Sequence, residues 1–482
     1  MRLFVRTLAV CALVLVGLGC SSMPDALRLG ARPAWELPPP PPAEGPIVEA
    51  GTLHRETLSN GLEIVILEDD RLPRVSLGFT LRRGAGSEDP VKAGVGAVAT
   101  EVMQRGAGDR DGLELARVVE DAGASLSVSV GWDTTGIALS GLSEDQPLLL
   151  EILSDVALRP RFEEQEFRKA LAEHQAGLVA AHDDPATLVR WNALRALYPG
   201  HRYGLPMNGT EESIAGLTRE EASTYWVDRF VPSGTIFWAV GDIDASALIA
   251  EVRSRFGDLT ERPQPANTPP TPERTPETRR VIVVDKPELG QARIMLVHEG
   301  IARTNPKRIP IALMNDALGG SGFSSRLMMR VRSDEGLTYG VFSGYALRGE
   351  PGPFSVSTFT RAEKTREVID LLLEEMDAIR QDRPMSQEEL AKFISYNVGR
   401  FGLSLETSRS VLSSLVDLQV HGLPTDSLDT YRSRVRAVVL GDVHAAAIDH
   451  LHPDRAAIIV LGPAETIAPQ LEGLGSVEIW QP

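Results

Sequence analysis

Cysteine is almost missing from this chain. Of its 482 residues only Cys11 and Cys20 are cysteines, and both lie in the first twenty. With that segment removed, no disulfide can form and no thiolate is available for catalysis or zinc. A basic surplus is missing too. The formal charge of −17 argues against a nucleic-acid surface, which needs clustered Lys and Arg. An acidic balance favours solubility and names no substrate. The one strong apolar run, Leu8–Leu18, is too short to span a membrane comfortably as a mature helix. What remains is globular: the hydrophobic fraction is 43%, and the length suits two to four domains on a prior of about 150 residues each.

The N-terminus reads as an export signal. Arg2 and Arg6 form a positive start, the apolar run follows, and Gly19-Cys20 ends it. A small residue before a cysteine matches the bacterial lipoprotein signal, in which the cysteine is lipidated; Gly17 stands where that pattern prefers Leu, so an ordinary signal peptide is the alternative. Lipidation at Cys20 would anchor the chain in the periplasm, with Ser21 favouring the outer membrane, and a tri-acyl anchor exceeds the two lipid signals that stable attachment needs. Residues 21–48 contain five consecutive prolines in "ELPPPPPAEGP", an extended tether. A second stretch rich in proline and threonine, 261–279, reads as a linker between two folded parts, 49–260 and 280–482.

Those parts look like copies of each other. In the first, "LSNGLEIVIL" carries Asn60-Gly61, the signal of a type I′ hairpin, and "RVSLGFTLRRG" follows; in the second, "RRVIVVDKP" and "QARIMLVHEG" take these places. Helical periodicity follows at 94–104 and 308–318. Alternating strand pairs come next, with Leu126, Val128, Val130 and Trp132 on one face of the first. Longer helices are expected around 145–158 and 362–381, then acidic helix starts at "RFEEQEFRKAL" and "MSQEELAKF". Each copy closes with Gly-Leu-Pro, a helix, a proline turn and an apolar strand ending in Gly. The simplest account is an α+β protein built from two copies of a unit of roughly 210 residues.

Across about residues 50–465 the chain resembles the pitrilysin/insulinase metallopeptidases. "LSNGLEIVI", "GHRYGLPMNGTEESIAGLTREEASTYWVDRFVPS" and above all "LGGSGFSSRLMMRVRSDEGLTYGVFSGY" carry the likeness. It implies two homologous α/β-sandwich domains facing each other as a clamshell. It also implies a helix bearing His-x-x-Glu-His, whose two His bind zinc while the Glu activates water. That helix aligns with "GVGAVATEVMQRGA", residues 94–107. The first His falls on Ala97, the Glu on Thr100 and the second His on Glu101. The distal acidic ligand falls on Gln175, Ala176 or Gly177, with Glu173 close by. Two carboxylates without imidazoles make a poor zinc site. The family's substrate-holding Arg and Tyr fall on Arg332 and Tyr339, seven residues apart. A permanent multi-donor cation and a neutral hydroxyl donor suit a carbonyl becoming tetrahedral. From the residues alone, Arg332 could equally sit on a solvated helix face near Asp334 and Glu335.

Two other features are weaker. "LGGSGFSSR" lacks the Gly-Lys-Ser/Thr of a phosphate loop, and His444, His450 and His452 have no acid or cysteine at ligand spacing. The resemblance therefore implies no catalytic residue and no metal in this chain. It implies a non-catalytic, substrate-binding subunit whose zinc belongs to a paralogous partner chain, acting on peptides or unfolded proteins and binding no nucleic acid. A proteolytically silent scaffold and an autonomous peptidase with a rebuilt metal site are the alternatives.

Overall fold

The computed structural model describes residues 45–262 and 278–482. The export signal, Cys20, most of the proline tether and most of the linker lie outside the described residues. Pro46–Pro482 form one compact unit. Among the described residues, no helix is long and apolar enough to cross a membrane.

The first half supplies β1 (Leu53–Thr57), β2 (Glu63–Glu68), β3 (Arg74–Leu81), a two-residue ribbon of β4 (Gly106–Ala107) and β5 (Arg110–Asp111), then β6 (Ser125–Val130), β7 (Thr135–Leu142) and β8 (Thr235–Gly241). The second supplies β9 (Arg280–Asp285), β10 (Gln291–Glu299), β11 (Val341–Tyr345), β12 (Pro353–Arg361), β13 (Ala457–Gly462) and β14 (Ser476–Trp480). The two large sheets run β1-β2-β8-β3-β7-β6 and β11-β12-β10-β13-β9-β14. Read from opposite ends, five positions correspond: β2 with β9, β8 with β13, β3 with β10, β7 with β12 and β6 with β11. The repeat read from the sequence is thus a repeat of topology. The sixth strand breaks it. β1 pairs antiparallel to β2 from the N-terminal side, whereas β14 pairs parallel to β9 from the C-terminus.

The first turn also departs from expectation. β1 and β2 do pair, but Thr57 faces Glu63, so the loop is Leu58–Leu62 and not the two residues of a type I′ turn. Gly61 takes the left-handed conformation (φ +94) and its N–H donates to Leu58 O at 2.9 Å, while Asn60 stays at negative φ. The Asn60 side chain instead bonds Leu62 N and the Phe256 carbonyl, tying the turn to the end of the Ala245–Phe256 helix.

The central strands of each sheet are buried on both faces, and the halves exchange helices to achieve it. Ile64 and Ile66 point into the core of the first half, with Leu77, Phe79 and Phe237. Val65, Leu67, Ile236 and Val240 point the other way, onto Val411, Leu412, Leu415 and Val416 of a helix from the second half. The second sheet mirrors this. Val281 and Val283 enter their own core, while Ile282, Val284, Ile459 and Leu461 pack on Leu188, Val189, Ala193 and Ala196 of a first-half helix. Two-sided burial is why the central strands read as unbroken apolar runs. In chain order, α1 denotes Val95–Val102, α2 the exchanged helix Pro185–Leu197, and α3 its counterpart Ser408–Val420.

Candidate functional site

Helix α1 is short and set by its buried face. Val95, Val98, Ala99 and Val102 join the first core, with Met103 just beyond the helix. Gly94 precedes it at φ +91, and a Cβ there would stand 2.4 Å from Asn208 O, so only glycine makes this entry. The helix start rests on a buried carboxylate. Glu88 accepts from Gly94 N (2.9 Å) and Gly96 N (3.0 Å), and pairs with Arg202 at 2.8 Å.

The three chemical positions are spent on local contacts or have no polar side chain. Ala97 offers no donor atom. The Thr100 hydroxyl donates back to Gly96 O (2.9 Å) and Ala97 O (3.1 Å) of its own helix. Glu101 is held by Arg105 at 2.7 Å, and the same guanidinium reaches Glu173 at 2.6 Å and Glu166 at 3.9 Å. The hydrogen bond from Arg105 holds the Glu173 carboxyl below its usual range. Gln175, Ala176 and Gly177, on the Glu164–Ala181 helix, bring no acid. An arginine therefore bridges the two carboxylates left near the motif. This donor set does not fit zinc: it has no imidazole, and a fixed cation already holds its acids. Among the described residues, no group of three or more His, Cys, Asp or Glu is placed to hold a metal ion. Because Arg105 is itself only 18% exposed and reaches three acids, Arg105→Ala is expected to lower stability by about 1 kcal/mol or more, read as a lower urea unfolding midpoint by circular dichroism.

Arg332 and Tyr339 lie in the second half, before the edge strand β11. Arg332 is near the end of the Met328–Asp334 segment, which winds as a π-helix, a rare form that often marks functional sites. Its guanidinium stacks 4.4 Å over the exposed Phe323 ring. Glu335, a neighbour that could have neutralised it, is taken by Arg330 at 2.6 Å. Among the described residues, none forms an ion pair with Arg332. Tyr339 is 81% exposed, its ring 6.4 Å from Phe359. Tyr339 is thus presented outward, whereas Arg332 is half-buried beneath the Phe323 contact.

Two family models match this chain: the Insulinase (Peptidase family M16) model over residues 64–211, and the Peptidase M16 inactive domain model over 216–395. The chain belongs to the M16 peptidase family. A Streptomyces coelicolor protein named an uncharacterized zinc protease is 25% identical over 421 residues, 86% of this chain and 90% of that one. A Bacillus subtilis protein of similar name is 25% identical, covering 75% and 86%. The fold is that of a Pseudomonas fluorescens structure described as a peptidase M16 inactive domain (TM-score 0.79, 24% identity, 85% of this chain and 98% of that). A Helicobacter pylori protease also shares it (TM-score 0.76, 19% identity, 85% and 99%). The expected two-part α+β M16 architecture is therefore present. The inactive-domain family model, over 216–395, excludes α1; at the helix itself Ala97, Thr100 and Glu101 stand at the positions where the resemblance places the zinc motif.

Of the other histidines, His298 and His444 make hydrogen bonds with backbone atoms. His444 contacts Arg380 O at 3.0 Å, and His298 accepts from His452 N at 3.2 Å. Burial pushes His298 down to about 3 and His452 to about 4. Sequence reasoning missed Glu88 and Arg202, which sit in "GSEDP" and "GHRYG". A carboxylate and an arginine 114 positions apart carry no local signal.

Proposed function

We propose that this M16 chain is the non-catalytic, substrate-binding member of a two-chain zinc peptidase, lipid-anchored through Cys20 in the periplasm at the outer membrane. The observation that carries this reading is α1: it keeps the buried spacing and glycine entry of the family's helix while Ala97, Thr100 and the Arg105-bound Glu101 supply neither ligand nor base. Zinc and the water-activating Glu come from a paralogous partner chain. This chain contributes the exposed Tyr339 and Arg332, which has no ion-pair partner among the described residues, to grip an extended peptide or unfolded protein and to donate to the scissile carbonyl. The edge strands β6 and β11 offer unpaired backbone for such a peptide, which gives affinity with weak sequence selectivity.

The test is reconstitution with an M16 chain from the same organism that carries His-x-x-Glu-His. Peptide hydrolysis should require both chains, and Arg332→Ala or Tyr339→Phe should lower the rate of the pair about tenfold or more. A partner that cleaves equally well alone defeats the proposal. So does stoichiometric zinc with chelator-sensitive cleavage in this chain by itself.

A further inference from the structure

A cavity of about 580 Å³ lies where the two halves meet, between the β6–β7 turn and β8 on one side and α3 with the loop after β11 on the other. Its charges do not balance within the protein. Arg303 holds Asp417 at 2.5 Å. His421 stands between Asp417 (3.3 Å) and Asp133 (3.6 Å). Those contacts match the two carboxylates with two cations, and Arg348 and Arg409 are left over.

Arg348 is only 7% exposed. Its guanidinium lies 4.0 Å from the Trp132 ring and 4.4 Å from Tyr203, and among the described residues it has no ion-pair partner. Its Nη1 is buried without an acceptor. Arg409 donates to Ser140 Oγ at 2.9 Å and lies 5.3 Å over Trp238. Burial and the nearby Arg74 hold its guanidinium below its usual value. A buried cation with an unsatisfied N–H is costly, and native proteins almost always give such a group a partner. Nη1 itself is closed to solvent, so an outside partner would meet the part of the guanidinium that lines the cavity. The rest of the lining combines Trp132, Trp238, Leu412 and Val416 with the hydroxyl residues Thr80, Thr134 and Ser413, and the volume is that of a small-molecule site.

We propose that this cavity binds a small organic carboxylate with a planar apolar body, its carboxylate on Arg348 and its body against the apolar wall. Such a ligand touches both halves and strengthens their association. None of these residues belongs to α1 or to the Arg332–Tyr339 segment, so the site stands whether or not the chain serves a zinc-bearing partner.

The probe is 1-naphthoate, with the neutral 1-naphthamide as its isostere, titrated calorimetrically into the mature chain. Naphthoate should bind saturably, one per chain, and raise the unfolding temperature. Naphthamide should bind about tenfold more weakly or worse, because a charge-assisted hydrogen bond is lost. Arg348→Gln should weaken naphthoate by a similar factor and leave naphthamide unchanged, while Arg348→Lys keeps part of the preference. Should Arg348→Gln fail to fold, Arg348→Lys carries the test alone: a folded lysine variant must bind naphthoate more weakly than the native chain while its affinity for naphthamide stays the same. Absent naphthoate saturation, equal affinity for acid and amide, or an unchanged acid preference in the folded variants each overturns the proposal.

Discussion

Arg202→Ala is expected to cost about 3–5 kcal/mol of stability, read from urea denaturation followed by circular dichroism. Glu88 and Arg202 side chains are 0% and 1% exposed. Glu88 Oε2 receives Arg202 Nε (3.1 Å), Arg202 Nη2 (2.8 Å) and Gly94 N (2.9 Å). Arg202 also donates to the carbonyls of Pro206 (3.0 Å) and Met207 (2.8 Å), fastening that loop to the entry of α1. Truncating the arginine strands a buried carboxylate with two backbone N–H donors and leaves those carbonyls short of a donor. The loss is the penalty of the stranded charge more than the worth of the pair. The double variant Glu88→Ala/Arg202→Ala should therefore cost well under the sum of the single variants, because they share one network. A cost for Arg202→Ala below about 1 kcal/mol, or strict additivity, would show that water reaches the site and compensates.

The edge strand β6 and helix α1 were legible because one buried face leaves a period, and the central strands because two buried faces leave an unbroken apolar run. Leu126 and Val128 alternate with exposed Ser125, Ser127 and Ser129, and Val95, Val98, Ala99 and Val102 recur at helical spacing. The helix exchange was not legible. Leu188 and Val189 announce an apolar face, yet nothing local says that they cover Ile282 and Val284 of the other half and not their own sheet. Charges followed the same rule. Glu101–Arg105 lies at i,i+4 and could be read from spacing; Glu173, 68 positions from Arg105, could not. Arg332 and Tyr339 were found only through family resemblance, and the geometry adds the exposure of Tyr339 and the stacking of Arg332 on Phe323. The Asn60-Gly61 signal placed a turn correctly but mistook its length, because tertiary bonds from Asn60 to the Phe256 carbonyl override the local preference.

Stability should fall as the pH rises from near neutral to about 10, through a single side chain at the junction of the halves. His421 caps α3, and Asp133 of the first half and Asp417 of α3 face its two nitrogens. These carboxylates outweigh burial and raise it from 6.5 to about 10. Arg303, paired with Asp417, and Arg348, on the cavity wall, are the cations nearby. A raised folded-state pKa means that the folded chain keeps a proton the unfolded chain gives up. The contribution is fully present below 6.5, fades between 6.5 and 10, and is gone above. The side chain is 10% exposed, so screening is modest and the whole effect is on the order of 3 kcal/mol. Other groups titrate in this range, so the informative quantity is the unfolding free-energy difference between the native sequence and His421→Gln. That difference should be large at pH 6 and close to zero at pH 10. Asp133→Asn should shrink it at pH 6, since it removes the charge that faces His421 from across the junction. A difference that does not change with pH would mean that His421 acts through packing alone, and that Gly349 N–H on Asp133, at 2.9 Å, is what fixes this side of the junction.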